Sequence, residues 1–144
     1  MKMVTKYFGE QEVKEDEALA FPYGLPGFQK EKRFILQPLG ETFSVLQSLD
    51  HAQVAFIVTS PFLFFESYSV DLPEHFVKQL DIHSESDVSV FAIVSVRKPF
   101  IESTINLKAP IIINTRKRVG KQYIPDRSPY GLRHRFIPKE KDVG

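Results

Sequence analysis

A mainly β fold, a small single-domain antiparallel barrel-like structure with one short helix, is what this sequence predicts, on three observations. Short runs rich in Val, Ile, Phe and Thr recur along the chain. Pro, Gly, Asp and Asn interrupt them about every ten residues. Only one stretch has the spacing of an amphipathic helix.

The expected strands, in order, are Met3–Gly9, Glu10–Lys14, Ala18–Phe21, Arg33–Pro38, Phe43–Leu49, Val54–Thr59, Val88–Arg97, Glu102–Leu107, Pro110–Asn114 and Gly120–Ile124. In the seventh, Val88, Val90, Ala92 and Val94 alternate with Ser89, Phe91, Ile93 and Ser95, so both faces carry large apolar groups and burial on both sides is implied. Pro110 cannot donate to a ladder and belongs at an edge or a strand start. Pro26 and Gly27 are placed as in a type II turn. The helix spans Leu72–Leu80, with Asp71 able to cap, Pro73 suited to the first turn, and Phe76, Val77 and Leu80 on one face. Many short strands in one domain favour a closed barrel, since closure removes exposed edges, and no second core is expected.

The 144 residues fit one domain. Residues 1–125 are expected to form the barrel-like binding domain. Residues 126–144, rich in Pro, Gly, Arg and Lys without apolar periodicity, read as a basic, flexible C-terminal tail. Charge is uneven: residues 1–72 hold six Lys/Arg against ten Asp/Glu, and residues 73–144 hold thirteen against eight. The surplus gathers in Arg116, Lys117, Arg118, Lys121, Arg127, Arg133, Arg135, Lys139 and Lys141, which raises a rival reading, a small β-barrel that binds nucleic acid through its C-terminal segment. A pI of about 7.9 falls short of a dedicated nucleic-acid domain.

The sequence closes several chemistries. With no Cys there is no disulfide, thiolate or Cys-based zinc site. His51, His75, His83 and His134 have no paired ligand spacing. Asp50-His51 are strand neighbours that point to opposite sides and lack a nucleophile-elbow Ser. Gly24-Leu25-Pro26-Gly27 lacks phosphate-loop spacing, and Glu15-Asp16-Glu17 has no apolar pocket to raise a carboxyl pKa. No enzyme, cofactor or metal is indicated. The N-terminus lacks the apolar stretch of a signal peptide and no run of about eighteen apolar residues occurs, so a cytoplasmic protein without membrane attachment is expected.

The most unusual local feature is Pro61-Phe62-Leu63-Phe64-Phe65-Glu66-Ser67-Tyr68. In an extended loop consecutive side chains cannot all point inward, so Phe62 and Phe64 are expected to plug the barrel while at least one of Phe65 and Tyr68 is exposed beside Glu66 and Asp71. Phe65, Glu66, Tyr68 and Asp71 are therefore the candidate protein-binding residues.

The ordered segments Lys6-Tyr7-Phe8-Gly9, Phe21-Pro22-Tyr23-Gly24-Leu25-Pro26-Gly27-Phe28, Leu46-Gln47-Ser48-Leu49-Asp50, Ala55-Phe56-Ile57-Val58, the aromatic loop, and Asn106 to Asn114 followed by Gly120-Lys121-Gln122 resemble the flagellar assembly factor family called FliW. Beyond Tyr123 only Tyr130 and His134 add to the likeness. The resemblance implies a compact barrel-like protein of the bacterial cytoplasm, a monomer when free, that binds two partners without touching nucleic acid itself. One is flagellin. The other is the carbon storage regulator, a homodimeric RNA-binding protein that represses translation of the flagellin message. Flagellin, as it accumulates, would take the assembly factor away from the regulator.

Overall fold

The computed structural model describes residues 1–136. Its elements are β1 (Lys2–Thr5), β2 (Gly9–Glu12), β3 (Leu19–Ala20), β4 (Arg33–Leu39), β5 (Phe43–Ser48), β6 (Ala55–Thr59), α1 (Glu74–Gln79), β7 (Val88–Ser95), β8 (Thr104–Ile105), β9 (Ile111–Asn114), β10 (Val119–Gln122) and β11 (His134–Arg135).

Seven strands close into a ring in the order β3, β4, β5, β6, β7, β9, β10 and back to β3. Every pairing is antiparallel except the closing one, where Val119 of β10 lies beside Ala20 of β3 in parallel. The seam is short, and two groups reinforce it. The Ala20 amide donates to the Arg118 carbonyl at 2.9 Å, while the Arg118 guanidinium reaches the carbonyls of Glu17 and Ala18 at 2.7 and 3.2 Å. β8 and β11 extend the wall outward from the end of β7, and β1 and β2 form a separate hairpin.

That hairpin is tied to the barrel by Gln47, whose fully buried side chain accepts from the Lys6 amide at 2.9 Å and donates to the Ala52 carbonyl at 3.0 Å. Burying this amide is tolerable because both ends are bonded. The Pro26–Gly27 turn has the expected form: Gly27 takes φ +81° and the Phe28 amide donates to Leu25 at 2.7 Å.

The barrel interior holds Leu19, Phe21, Phe34, Leu46, Val58, Ile111 and Ile113, each large side chain contributing roughly 1.5–3 kcal/mol by burial. Contrary to expectation, the outer wall carries two more cores. One gathers Tyr68, Ala92, Val94, Ile105, Leu107 and Phe136; the other joins Phe76 and Leu80 of the helical segment to Ile112. The alternation along β7 explains this arrangement, since Phe91 and Ile93 face the interior while Val90, Ala92 and Val94 need cover outside.

Two expectations are corrected at the segment ends. The N-cap of α1 is the extended Pro73 with no side-chain cap, so Asp71 does not cap the helix. The chain from 130 to 136 is not a loose tail: Phe136 is buried, β11 pairs with β8, and the amides of Leu107 and Lys108 both donate to the Gly131 carbonyl at 3.2 Å. The apolar side chains Tyr130 and Phe136 are what the outer face of β7 and β8 requires as cover. The remainder of that expected tail, 137–144, lies outside the described residues.

Candidate functional site

The aromatic loop reverses the expected pattern of exposure. Pro61–Leu63 is a 3-10 turn, closed by the amides of Leu63, Phe64 and Phe65 donating to Ser60 and Pro61 carbonyls at 3.0–3.2 Å. A helical turn abolishes the in–out alternation of extended chain. Phe62, Leu63 and Phe64 therefore point outward, 45%, 59% and 39% exposed, and Tyr68 falls to 5%. The Tyr68 hydroxyl donates to the Leu107 carbonyl at 2.8 Å, and its ring lies 4.6 Å from that of Tyr130. Burial first, and Tyr130 second, push this hydroxyl up to about 12.

Among the four candidates, Tyr68 is thus a core residue. Phe65 is half-buried with its ring 4.9 Å from that of His134, whereas Glu66 and Asp71 are exposed. Tyr68 and Asp71 line one cleft of about 260 Å³; Phe65 and Glu66 stand outside it.

A second apolar surface escaped the sequence reading. Tyr7, Val96, Phe100 and Ile101 are 40–49% exposed, and the Phe100 and Phe64 rings each lie 6.1 Å from Phe43. The signal available was Val96 and Phe100-Ile101 flanking Arg97-Lys98-Pro99 after a strand. Turn composition alone did not show that this segment sits beside the aromatic loop.

Four members of the basic cluster, Arg116, Lys117, Arg118 and Lys121, are engaged within the fold. Arg116 pairs with Asp87 at 3.5 Å, Lys117 with Asp81 at 3.0 Å, and Arg118 serves the seam. Lys121 donates to Gln79 at 2.7 Å and lies 4.4 Å from the Tyr23 ring centroid. Lys117 and His83 hold the Asp81 carboxyl below its usual value, and the His83 amide with Arg116 does the same for Asp87. Asn114, fully buried, organises the neighbouring turn: its side chain donates to the Leu80 carbonyl at 2.7 Å and accepts from the amides of Arg116 and Lys117 at 3.0 and 3.1 Å.

His51 finds a partner in Glu31, at 2.7 Å, while Asp50 pairs with Arg33. Ser48 joins them, but its fully buried hydroxyl donates to the Glu31 carboxylate at 2.5 Å and accepts from the amides of Asp50 and His51. A nucleophile would have to hand its proton to the imidazole. This trio instead braces a turn. Among the described residues no group of three or more His, Asp or Glu is placed to hold a metal, and no helix is long and apolar enough to cross a membrane.

The fold and its surface define a small closed β-barrel that presents aromatic side chains from two adjacent turns. A family model described as FliW protein matches residues 2–136. The chain is 42% identical over 141 residues to the flagellar assembly factor FliW of Geobacillus kaustophilus, covering 97% of this chain and 98% of that protein. It is 48% identical to the FliW of Bacillus licheniformis and 43% identical to that of Bacillus subtilis strain 168, covering 90% of this chain and 92% of each relative. A crystal structure of the flagellar assembly factor FliW superposes with a TM-score of 0.94 at 40% identity, covering 97% of this chain and 99% of that one. The chain belongs to the FliW family of flagellar assembly factors.

Proposed function

We propose that this protein couples the supply of unassembled flagellin to its synthesis by binding two proteins in turn, flagellin and the carbon storage regulator. Bound to the regulator, it relieves repression of the flagellin message; flagellin, when abundant, withdraws it. The work is done in the cytoplasm by a protein that is monomeric when free, without cofactor, catalysis or direct contact with nucleic acid.

The observation that carries this reading is the exposed aromatic surface on which Phe64 and Phe100 each lie 6.1 Å from Phe43, with exposed Leu63 and Ile101 next to them in the chain, on a barrel whose own cores are already filled. Exposed aromatics of this kind supply anchors at protein interfaces. Glu66 and Asp71 beside the loop offer negative charge to the basic surface that an RNA-binding regulator needs.

Calorimetry of the purified protein against flagellin, against the regulator, and against the regulator with flagellin present tests the reading. Saturable binding to each, with flagellin lowering the protein's apparent affinity for the regulator, is the expected result. Absence of binding to either partner overturns it.

A further inference from the structure

We propose that residues 130–136 form a strap that opens and closes as one unit, and that the aromatic loop keeps its outward-facing form only while the strap is closed. This goes beyond the proposed function and depends on the identity of no partner.

The loop and the strap run in opposite directions, side chain against side chain. From ring to ring, Phe64 lies 4.5 Å from Phe136, Phe65 4.9 Å from His134, and Tyr68 4.6 Å from Tyr130. The loop ends under the same strap, where the Ser69 amide donates to the Tyr130 hydroxyl at 3.1 Å. Phe64 is nearer to Phe136 than to Phe43 of the barrel wall, 4.5 against 6.1 Å, so the strap is its closer support. The Phe136 ring, 2% exposed, also lies 5.7 Å from Phe43 and 5.6 Å from Phe100, which joins the loop to the turn after β7.

The strap's own hold on the barrel is slight. Among the described residues no strand lies between Gln122, where β10 ends, and His134, and β11 pairs with β8 at two positions. Gly131 to Arg135 are all exposed. The main-chain bonds that reach this segment are long: Leu107 and Lys108 share the Gly131 carbonyl at 3.2 Å, and the Phe136 amide donates to Ser103 at 3.4 Å. Closure therefore rests on the Tyr130 and Phe136 rings, packed on the second core. A segment with exposed backbone bonds and few buried contacts opens at lower free energy than the ladders beside it. When it lifts, Phe64, Phe65 and Tyr68 lose their facing rings together. By linkage, whatever grips the loop in its outward-facing form draws the strap shut.

Hydrogen exchange in the purified full chain, followed amide by amide in increasing urea, tests this. The amides of Ser69, Leu107 and Phe136 bridge strap and domain, and those of Phe64 and Phe65 close the loop's own turn onto Pro61. In the parent these five should open together, at least about tenfold more often than the β5 amides and with a shallower urea dependence. Phe136→Leu should speed all five by one common factor of about five or more. Tyr130→Phe, which deletes a single hydroxyl, gives the same comparison for the other four amides if Phe136→Leu does not fold. Gly120→Ala strains the seam, which stays shut when the strap lifts, so it should speed the β5 amides and leave the five unchanged. Five amides that open only together with β5, in the parent's urea series or in Gly120→Ala, overturn the strap as a separate unit. Phe64 and Phe65 amides that do not follow the strap variants overturn its hold on the loop.

Discussion

Gly120 and Phe21 occupy one space: a Cβ placed on Gly120 would come within 2.5 Å of the Phe21 ring, which is fully buried and packs edge-on against Phe34 at 5.1 Å. The glycine is thus fixed by packing at the barrel seam. Gly120→Ala should cost about 1–3 kcal/mol, because the ring has no vacant interior to move into. Urea denaturation of the variant checks this, and an unchanged midpoint would mean that the seam yields more easily than its packing indicates.

Tyr68 contributes through its ring and its hydroxyl separately. Tyr68→Phe keeps the ring and leaves the Leu107 carbonyl without its donor, so about 1 kcal/mol should be lost. Tyr68→Ala opens a cavity in the second core and should cost about 3–5 kcal/mol. The folded hydroxyl titrates at about 12, above the ordinary value near 10. Its contribution is full below about pH 10 and is lost as pH rises through 12. Alkaline unfolding curves of parent and Tyr68→Phe should differ in that window.

The segment from 130 to 136 is part of the domain. Phe136→Ala should cost about 3–5 kcal/mol, and truncation after residue 129 at least as much, since it removes Tyr130 and β11 as well. Differential scanning calorimetry measures both. A truncated protein melting with the parent would show that the second core needs no cover from this segment.

Acid stability should depend on Asp81 and Asp87. Both carboxyls are held below their usual value, so the folded state binds their protons more weakly than the unfolded chain does. Their stabilisation is complete above about pH 4 and is lost as pH falls through the depressed folded values. In Asp81→Asn/Asp87→Asn the decline of the urea midpoint between about pH 4 and pH 2 should be shallower than in the parent. Identical acid limbs would remove these ion pairs from the account.

Strand positions were legible because burial and propensity act locally. Each of the ten expected strands corresponds to an observed one, and Phe76 and Leu80 revealed the buried helical face. What stayed hidden depended on contacts remote in sequence. Nothing local marks Ala20 and Val119 as partners, and His134-Arg135 forms a strand only because β8 offers an edge. In the candidate site, Glu66 and Asp71 were legible as exposed charges, but the 3-10 turn at Pro61 exchanged the roles of Tyr68 and Phe64. Phe100 stayed silent because its partner, Phe43, lies in a distant strand.

Joining Ala20 to Val119 bears on how this protein is made. A ribosome adds about 5–20 residues each second, and it finishes the first wall strand long before that strand's closing neighbour exists. The hairpins from β4 to β6 can ladder as they emerge, since their partners are near in sequence. The ring cannot shut until β10 has cleared the exit tunnel and can reach β3. Nascent chains stalled before residue 119 should stay open to protease, and released full-length chains should resist it within one cooperative step.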